Sequence, residues 1–285
     1  MNQPIVFEIS DPPSIENSEF GFTRYLYVID DVKSSLIVSI LEKNLDEALY
    51  WGYELYFSGL REDTIIILQH MIETMYAPLN PHLSTFLDKK KLEWDNTPTS
   101  TIVATFIYNM VYRPYNISNF VTQYCKDTEL CKYIEETHIE KSISKSKIYI
   151  IAEQKDIKKY ITVNHSNPYH LLQHAVKYPV RKNTLAIFDH EHGVYTHSQL
   201  QSLYWYRWLY YAQASPIWME RISKYGGTIN HINRSIDFTT YENEESFYNK
   251  YNLEPDEQCK EIQEMNIGTG TEHQLQWQDF YEKYK

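Results

Sequence analysis

The sequence predicts a mainly α fold: antiparallel helical hairpins, arranged as an irregular bundle or a HEAT-like array, with a small β-hairpin element in the second half. Three observations predict it. Apolar residues recur at helical spacing from about residue 30 to 125. The links between these runs are short, which sets neighbouring helices antiparallel. Beyond about residue 126, two β-rich runs stand among helical ones. No repeat of fixed period is present, so an irregular bundle is preferred to a true solenoid.

The elements follow in chain order. Residues 1–20, with Pro12 and Pro13, read as an extended arm. Residues 21–126 read as a helical-hairpin domain. Its first helix carries the stripe Val32, Leu36, Ile37, Ile40 and Leu41 after Asp30 and Asp31, which suit a helix start. Asn44 ends it. Leu45, Ala48, Leu49, Leu55 and Tyr56 mark the second helix, and Gly59 closes it in the manner of a left-handed C-cap. Ile65, Leu68, Met71, Ile72 and Met75 mark the third. Asn80-Pro81 and Thr97-Pro98 each couple a cap to a proline at the first helical position. Ile102, Val103, Phe106, Ile107, Met110 and Val111 give the fifth helix. Arg113-Pro114 stops it, and Asn116 caps a short sixth.

Residues 127–236 read as a mixed region with the β-hairpin and an aromatic helix. "KIYIIAE" (Lys147 to Glu153) and "TLAIFD" (Thr184 to Asp189) read as strands, and Asn167-Pro168 opens a short helix between them. "GVYTH" reads as the strand returning from "TLAIFD" across the polar loop "HEHG", where Gly193 can take positive φ. Thr196 and Gln199 have capping-box spacing at the start of the aromatic helix, residues 198–214. Pro216 interrupts that helix, and Gly226-Gly227 ends the next. Residues 237–285 read as an acidic tail. Asp237 to Met265 holds nine acids against Lys250 and Lys260, so most of the formal charge of -11 sits there.

That charge argues against a protein that coats nucleic acid indiscriminately. No apolar run approaches the ~20 residues of a membrane span, and "MNQPIVFEISDPP" lacks the order of a signal peptide. Cys125, Cys131 and Cys259 are odd in number and never spaced CxxC, which fits free thiols in a reducing compartment. GxxxxGK[ST], GxGxxG and GxSxG are all missing, so the expectation is a non-enzymatic protein without a cofactor.

Three groups of residues are candidates for function. The aromatic helix carries Tyr204, Trp205, Trp208 and Tyr211, with Trp218 beyond it. Such residues fill cores, and they also anchor protein partners. Lys155, Lys158 and Lys159 belong to a basic stretch suited to phosphate groups, although Glu153 and Asp156 dilute it. Six of the eleven histidines fall between His165 and His197. His170 and His174 are four apart, as paired metal ligands on a helix are, and His190 and His192 would share one face of a strand. The hairpin and cap give these residues structural tasks, and "HEHG" is not HExxH, so a metal site is the lesser reading.

"LDEALYWGYELYFSGL" (Leu45 to Leu60), "YAPLNP" (Tyr76 to Pro81), "YRPYNISNF" (Tyr112 to Phe120) and "YNLEPDEQ" (Tyr251 to Gln258) resemble segments of an uncharacterised protein family of giant nucleocytoplasmic DNA viruses, the mimivirus-like group. The bias toward Tyr, Ile, Asn and Lys, whose codons are AT-rich, agrees with the resemblance. The resemblance implies a location in host cytoplasm and carries over no functional residues. Three functions are therefore open: a scaffold that binds a protein partner through a helical surface; an RNA- or DNA-associated adaptor in viral translation or transcription; and a metal-dependent enzyme using the histidine cluster.

Overall fold

A computed structural model describes residues 20–137, 141–161, 171–188 and 195–285. The first half is a run of helices: α1 (Ile29–Leu41), α2 (Leu45–Phe57), α3 (Arg61–Met71), α4 (Pro81–Asn96), α5 (Ser100–Val111), α6 (Ser118–Tyr124) and α7 (Thr128–Glu136). α1 packs on α2, and α2 packs on α5. α1 buries Val32, Leu36 and Ile40, and small Ser35 and Ser39 are buried with them. α2 meets α5 at Gly52, where a Cβ would lie 2.6 Å from Ile107 Cδ1. Small residues on α1 and the bare glycine on α2 let these helices approach closely. Gly59 takes φ +92 just past α2, as its sequence position predicted. A π-helical turn, Ile72–Tyr76, continues α3.

The second half contains the short helices α8 (Gln154–Ile157) and α9 (Leu171–Ala175), then α10 (His197–Tyr206), α11 (Trp208–Ala212) and α12 (Pro216–Lys224). Strands β1 (Gly227–Asn230) and β2 (Ser235–Phe238) form an antiparallel hairpin, with Gly227 opposite Phe238 and Asn230 opposite Ser235. Helices α13 (Tyr241–Tyr251), α14 (Lys260–Ile267) and α15 (Trp277–Tyr284) complete the described chain. Among the described residues the protein is mainly helical with one small antiparallel sheet in its second half, the predicted fold class.

The hairpin is not where the sequence placed it. Lys182–Ile187 forms a 3-10 helix, so "TLAIFD" is not a strand. Thr184 decides this locally: its hydroxyl donates to the Arg181 carbonyl at 2.6 Å and closes the turn. Residues 189–194, which hold Gly193 and most of the expected loop, lie outside the described residues, as does Asn167-Pro168. The Thr196–Gln199 capping box is present. The aromatic helix is broken at Arg207, whose φ of -131 leaves the helical region, and Pro216 begins α12 at a favoured N-terminal position.

Two smaller expectations also change. α5 begins at Ser100 behind Thr99, two residues later than Thr97-Pro98 suggested. Asp30 and Asp31 fall inside the first turn of α1, behind Val28, and do not cap it. Asp31 is wholly buried and pairs with Lys182 at 3.3 Å. Residues 237–285 are part helix and part loop, as expected: Phe247, Ile267 and Phe280 on their helices sit in the common core, and Asn266 Nδ2 donates to the Tyr25 carbonyl at 2.6 Å.

Candidate functional site

"KIYIIAE" has strand composition, but its partner is a helix. Thr105, Asn109 and Arg113 stand four residues apart along α5 and just past its end, and all three are buried. Asn109 Nδ2 donates to the Ile150 carbonyl at 2.7 Å, and the Ile150 amide donates to Asn109 Oδ1 at 3.1 Å. The Ala152 amide donates to Thr105 Oγ1 at 3.0 Å. Arg113 donates to the carbonyls of Ser146 (3.2 Å) and Ile148. The Ser144 amide donates to the Leu79 carbonyl at 2.7 Å. Helix and segment run antiparallel. Four helical residues rise about 6 Å and two extended residues about 6.6 Å, so one polar side chain per helical turn meets every second residue of the segment.

Alternation then decides what the other edge shows. In an extended chain the amide and carbonyl of one residue point to one side, and those of the next to the other. Among the described residues, the main-chain groups of Lys147, Tyr149 and Ile151 have no hydrogen-bond partner. The Tyr149 ring is tied down, stacked on Phe86 at 4.2 Å with its hydroxyl donating to the His82 carbonyl. The isoleucines are not: Ile148 is 79% exposed, Ile151 61% and Ile150 37%. An apolar β-type segment with one free edge is a template for a further strand.

A cleft of about 730 Å³ begins just beyond this segment. Asp46, Tyr108, Lys155, Lys158, Lys159 and Tyr160 are on its wall. Asp46 stands in the first turn of α2, behind the Asn44 cap. It accepts from Lys159, Lys177, Tyr178 and Tyr160, the last at 2.8 Å. Burial alone would raise the Asp46 carboxyl, but these four donors outweigh it and hold it well below the usual carboxylate range. Burial, and then the Asp46 charge, push the Tyr160 and Tyr178 hydroxyls up, so both stay protonated donors at neutral pH. Lys155 pairs with Glu153 at 2.8 Å, and Lys158 is exposed. The structure thus gathers Lys155, Lys158 and Lys159 on one cleft and adds two tyrosines that sequence reading did not attach to them.

The aromatic residues mostly serve packing. Tyr204 and Trp218 are wholly buried, and Trp208 and Tyr211 nearly so. Their burial removes them from any surface a partner could touch. Trp205 is half-buried, donates its indole N–H to Gln263 at 2.8 Å, and borders a shallow cleft of about 410 Å³ with Arg207, Arg234, Glu254 and Asp256. His174 lies in α9, whereas His170, His190 and His192 lie outside the described residues. Among the described residues no group of three His, Cys, Asp or Glu is placed to hold a metal ion. Among them, too, no helix is long and apolar enough to cross a membrane.

Sequence reading missed the polar side chains of α5. The available signal was a polar stripe at Thr105, Asn109 and Arg113, four apart, beside an otherwise apolar helix. Comparison of the chain with family models, curated proteins and solved structures gives no match.

Proposed function

We propose that the protein is a non-enzymatic interaction scaffold that takes a protein partner by strand addition along Lys147, Tyr149 and Ile151. One observation carries this reading: the segment is bonded along one edge to α5 while its other edge is unpaired among exposed isoleucines. Main-chain pairing on such an edge supplies affinity, and alternate side chains supply choice of partner. In the viral setting implied by the sequence resemblance, the partner is met in host cytoplasm.

The test is capture from host-cell extract with tagged protein, with and without nuclease, beside an Ile148→Lys/Ile151→Lys variant. Both isoleucines point to solvent, so the variant keeps the fold. The expected result is a set of partners that survives nuclease and is lost from the variant. Partners retained by the variant would overturn the reading.

A second reading has its own observation, the placing of Lys155, Lys158, Lys159, Tyr108 and Tyr160 on one cleft. Lysines at that spacing can hold phosphates, and the half-buried Tyr108 can stack a base, whereas the buried Tyr160 ring already stacks on Tyr53. This is the RNA- or DNA-associated adaptor. Its mark is binding to single-stranded RNA that weakens steeply with salt and disappears when the three lysines are changed to glutamate.

A further inference from the structure

We propose that the strand this edge accepts is acidic: an extended protein segment that sets two carboxylates against Lys145 and Lys147 and two apolar side chains against Ile148 and Ile150. The proposal rests on the reading that the edge takes a strand, and adds the chemistry of that strand. Its ground is the positive charge left uncompensated along the edge.

The open edge reaches beyond the isoleucines. Among the described residues, every odd-numbered residue from Ile143 to Ile151 has both main-chain groups unpartnered. The even-numbered ones from Ser144 to Ala152 each have an amide or carbonyl bonded inward, to Leu79 or to the polar side chains of Thr105, Asn109 and Arg113. The capping box of α8 takes the Glu153 amide and ends the run.

Cations line this run without counter-charges. Lys145 and Lys147 are exposed, and among the described residues neither has an acid within ion-pair distance. Behind them Arg113 is buried, and its guanidinium is held by the Ser146 and Ile148 carbonyls with no carboxylate beside it. Water screens a buried charge poorly, so its field reaches the edge. Lys141 donates to the Tyr115 carbonyl at 3.0 Å, and burial, then the like charge of Lys43, holds its ammonium below the usual lysine value. The two acids at the far end are already engaged: Glu153 with Lys155 at 2.8 Å, and Asp156 with the Glu153 amide at 2.8 Å. This basic strip stands on a chain of formal charge -11. Complementary charge of this kind selects partners and fixes their register.

Alternation turns the charge into a pattern. Lys145 and Lys147 belong to one face of the extended segment, Ile148 and Ile150 to the other. Opposite charges directly across a ladder are favourable, and like charges are not. The strand that fits therefore reads acid-x-acid-apolar-x-apolar, in whichever direction it runs. A nucleic acid meets only part of this. Its phosphates suit the lysines, but it brings no peptide main chain to pair with the edge and no aliphatic side chains to cover the isoleucines.

The experiment measures fluorescence anisotropy of labelled, end-blocked peptides titrated with the full chain. The probes are Glu-Thr-Glu-Val-Thr-Val-Thr and the same residues in reverse order, so that both strand directions are offered. Their counterparts carry Lys in place of Glu, and a third form of each acidic peptide is N-methylated at every residue and cannot donate to the edge. One acidic peptide is expected to bind at least about tenfold more tightly than its Lys counterpart, because two opposite-charge pairs replace two like-charge pairs. N-methylation should abolish that binding. Lys145→Gln/Lys147→Gln should remove the preference, and Lys145→Glu/Lys147→Glu should invert it, while Lys155, Lys158 and Lys159 stay unchanged.

Acidic and basic peptides bound equally, both lost on N-methylation, would reject the acidic strand and leave strand addition standing. An acidic peptide that binds as well when N-methylated would reject both, since the contact would then be charge alone. No binding by either acidic peptide up to about 1 mM, where even a weak specific contact registers, would overturn the proposal. Single-stranded RNA that displaces the acidic peptide and itself depends on Lys145 and Lys147 would give this face to nucleic acid instead.

Discussion

Two buried acids near the start of the described chain answer differently to substitution. Glu54 is wholly buried; it accepts from Arg24 Nε at 2.9 Å and from the Tyr25 amide at 3.1 Å, and Arg24 Nη2 in turn donates to the Tyr160 carbonyl. Replacing it by Gln leaves the guanidinium without its counter-charge, and breaking a buried pair costs about 3–5 kcal/mol. Denaturant unfolding at pH 7 should show a loss of that order. Asp31 is the opposite case. Its carboxyl is pushed up from 3.8 to about 6 by burial, opposed by Lys182, and among the described residues its Oδ1 has no hydrogen-bond partner. A raised folded value means that the folded state holds the proton more tightly than the unfolded chain. Its stabilising effect is full below about pH 4 and is lost as pH rises to about 6, by ~3 kcal/mol in all. Asp31→Asn is expected to remove this decline, so its advantage over the parent should be larger at pH 7 than at pH 4. Identical pH profiles for the two proteins would refute the assignment. Neither acid was legible as buried: Asp31 sits where a helix cap is expected, and Glu54 looks like any surface acid in a helix.

At the scale of elements, α1 to α3 were legible because burial on one face leaves a periodic apolar trace. Gly59 was legible for a local reason, since φ +92 is open to glycine alone at little cost. An added Cβ there would also meet the Ala214 carbonyl at 3.1 Å. Gly59→Ala should therefore lower stability by at least about 1 kcal/mol, read as a fall in melting temperature. The segment at Lys147 to Glu153 was legible as extended but not in its partner, because strand composition says nothing about which group completes the hydrogen bonds. For the same reason "TLAIFD" misled: Ile187 and Phe188 pack on the core, while Thr184 closes a turn. Asn109→Ala removes both bonds to Ile150. Amide exchange at Ile150 and Ala152 should rise at least tenfold while the α5 amides stay protected, since a lost bond of about 1–3 kcal/mol opens the segment alone. Equal loosening of α5 would mean that the segment is part of the helix's own stability.

Across the whole molecule, the last described helix is tied to the first. Glu42, just past α1, accepts from Lys283 Nζ at 2.8 Å, Tyr284 Oη at 2.9 Å and Arg181 Nη2 at 3.0 Å. Phe280 beneath them is wholly buried. Phe280→Ala is expected to cost about 3–5 kcal/mol and to lower the single unfolding transition of the entire chain. A separate early transition confined to residues 237–285 would instead mark an independent unit. The sequence reading treated this region by its charge. Charge is a surface property, and it hid the few apolar residues that dock inward: Phe247, Ile267, Phe280 and Tyr284.

The way α5 holds its neighbour has a consequence for how this protein can change over time. Thr105, Asn109 and Arg113 hydrogen-bond to main-chain atoms of residues 146 to 152, which every amino acid but proline supplies alike, and only the Tyr149 ring under Arg113 adds a side-chain contact. The seat is thus indifferent to spelling. Ile148, Ile150 and Ile151 can be rewritten without loosening the segment, so whatever meets its outer edge can be exchanged while the fold stands still. In a lineage under pressure to change partners, that separation makes the edge the part free to vary and the three polar side chains beneath it the part that must stay.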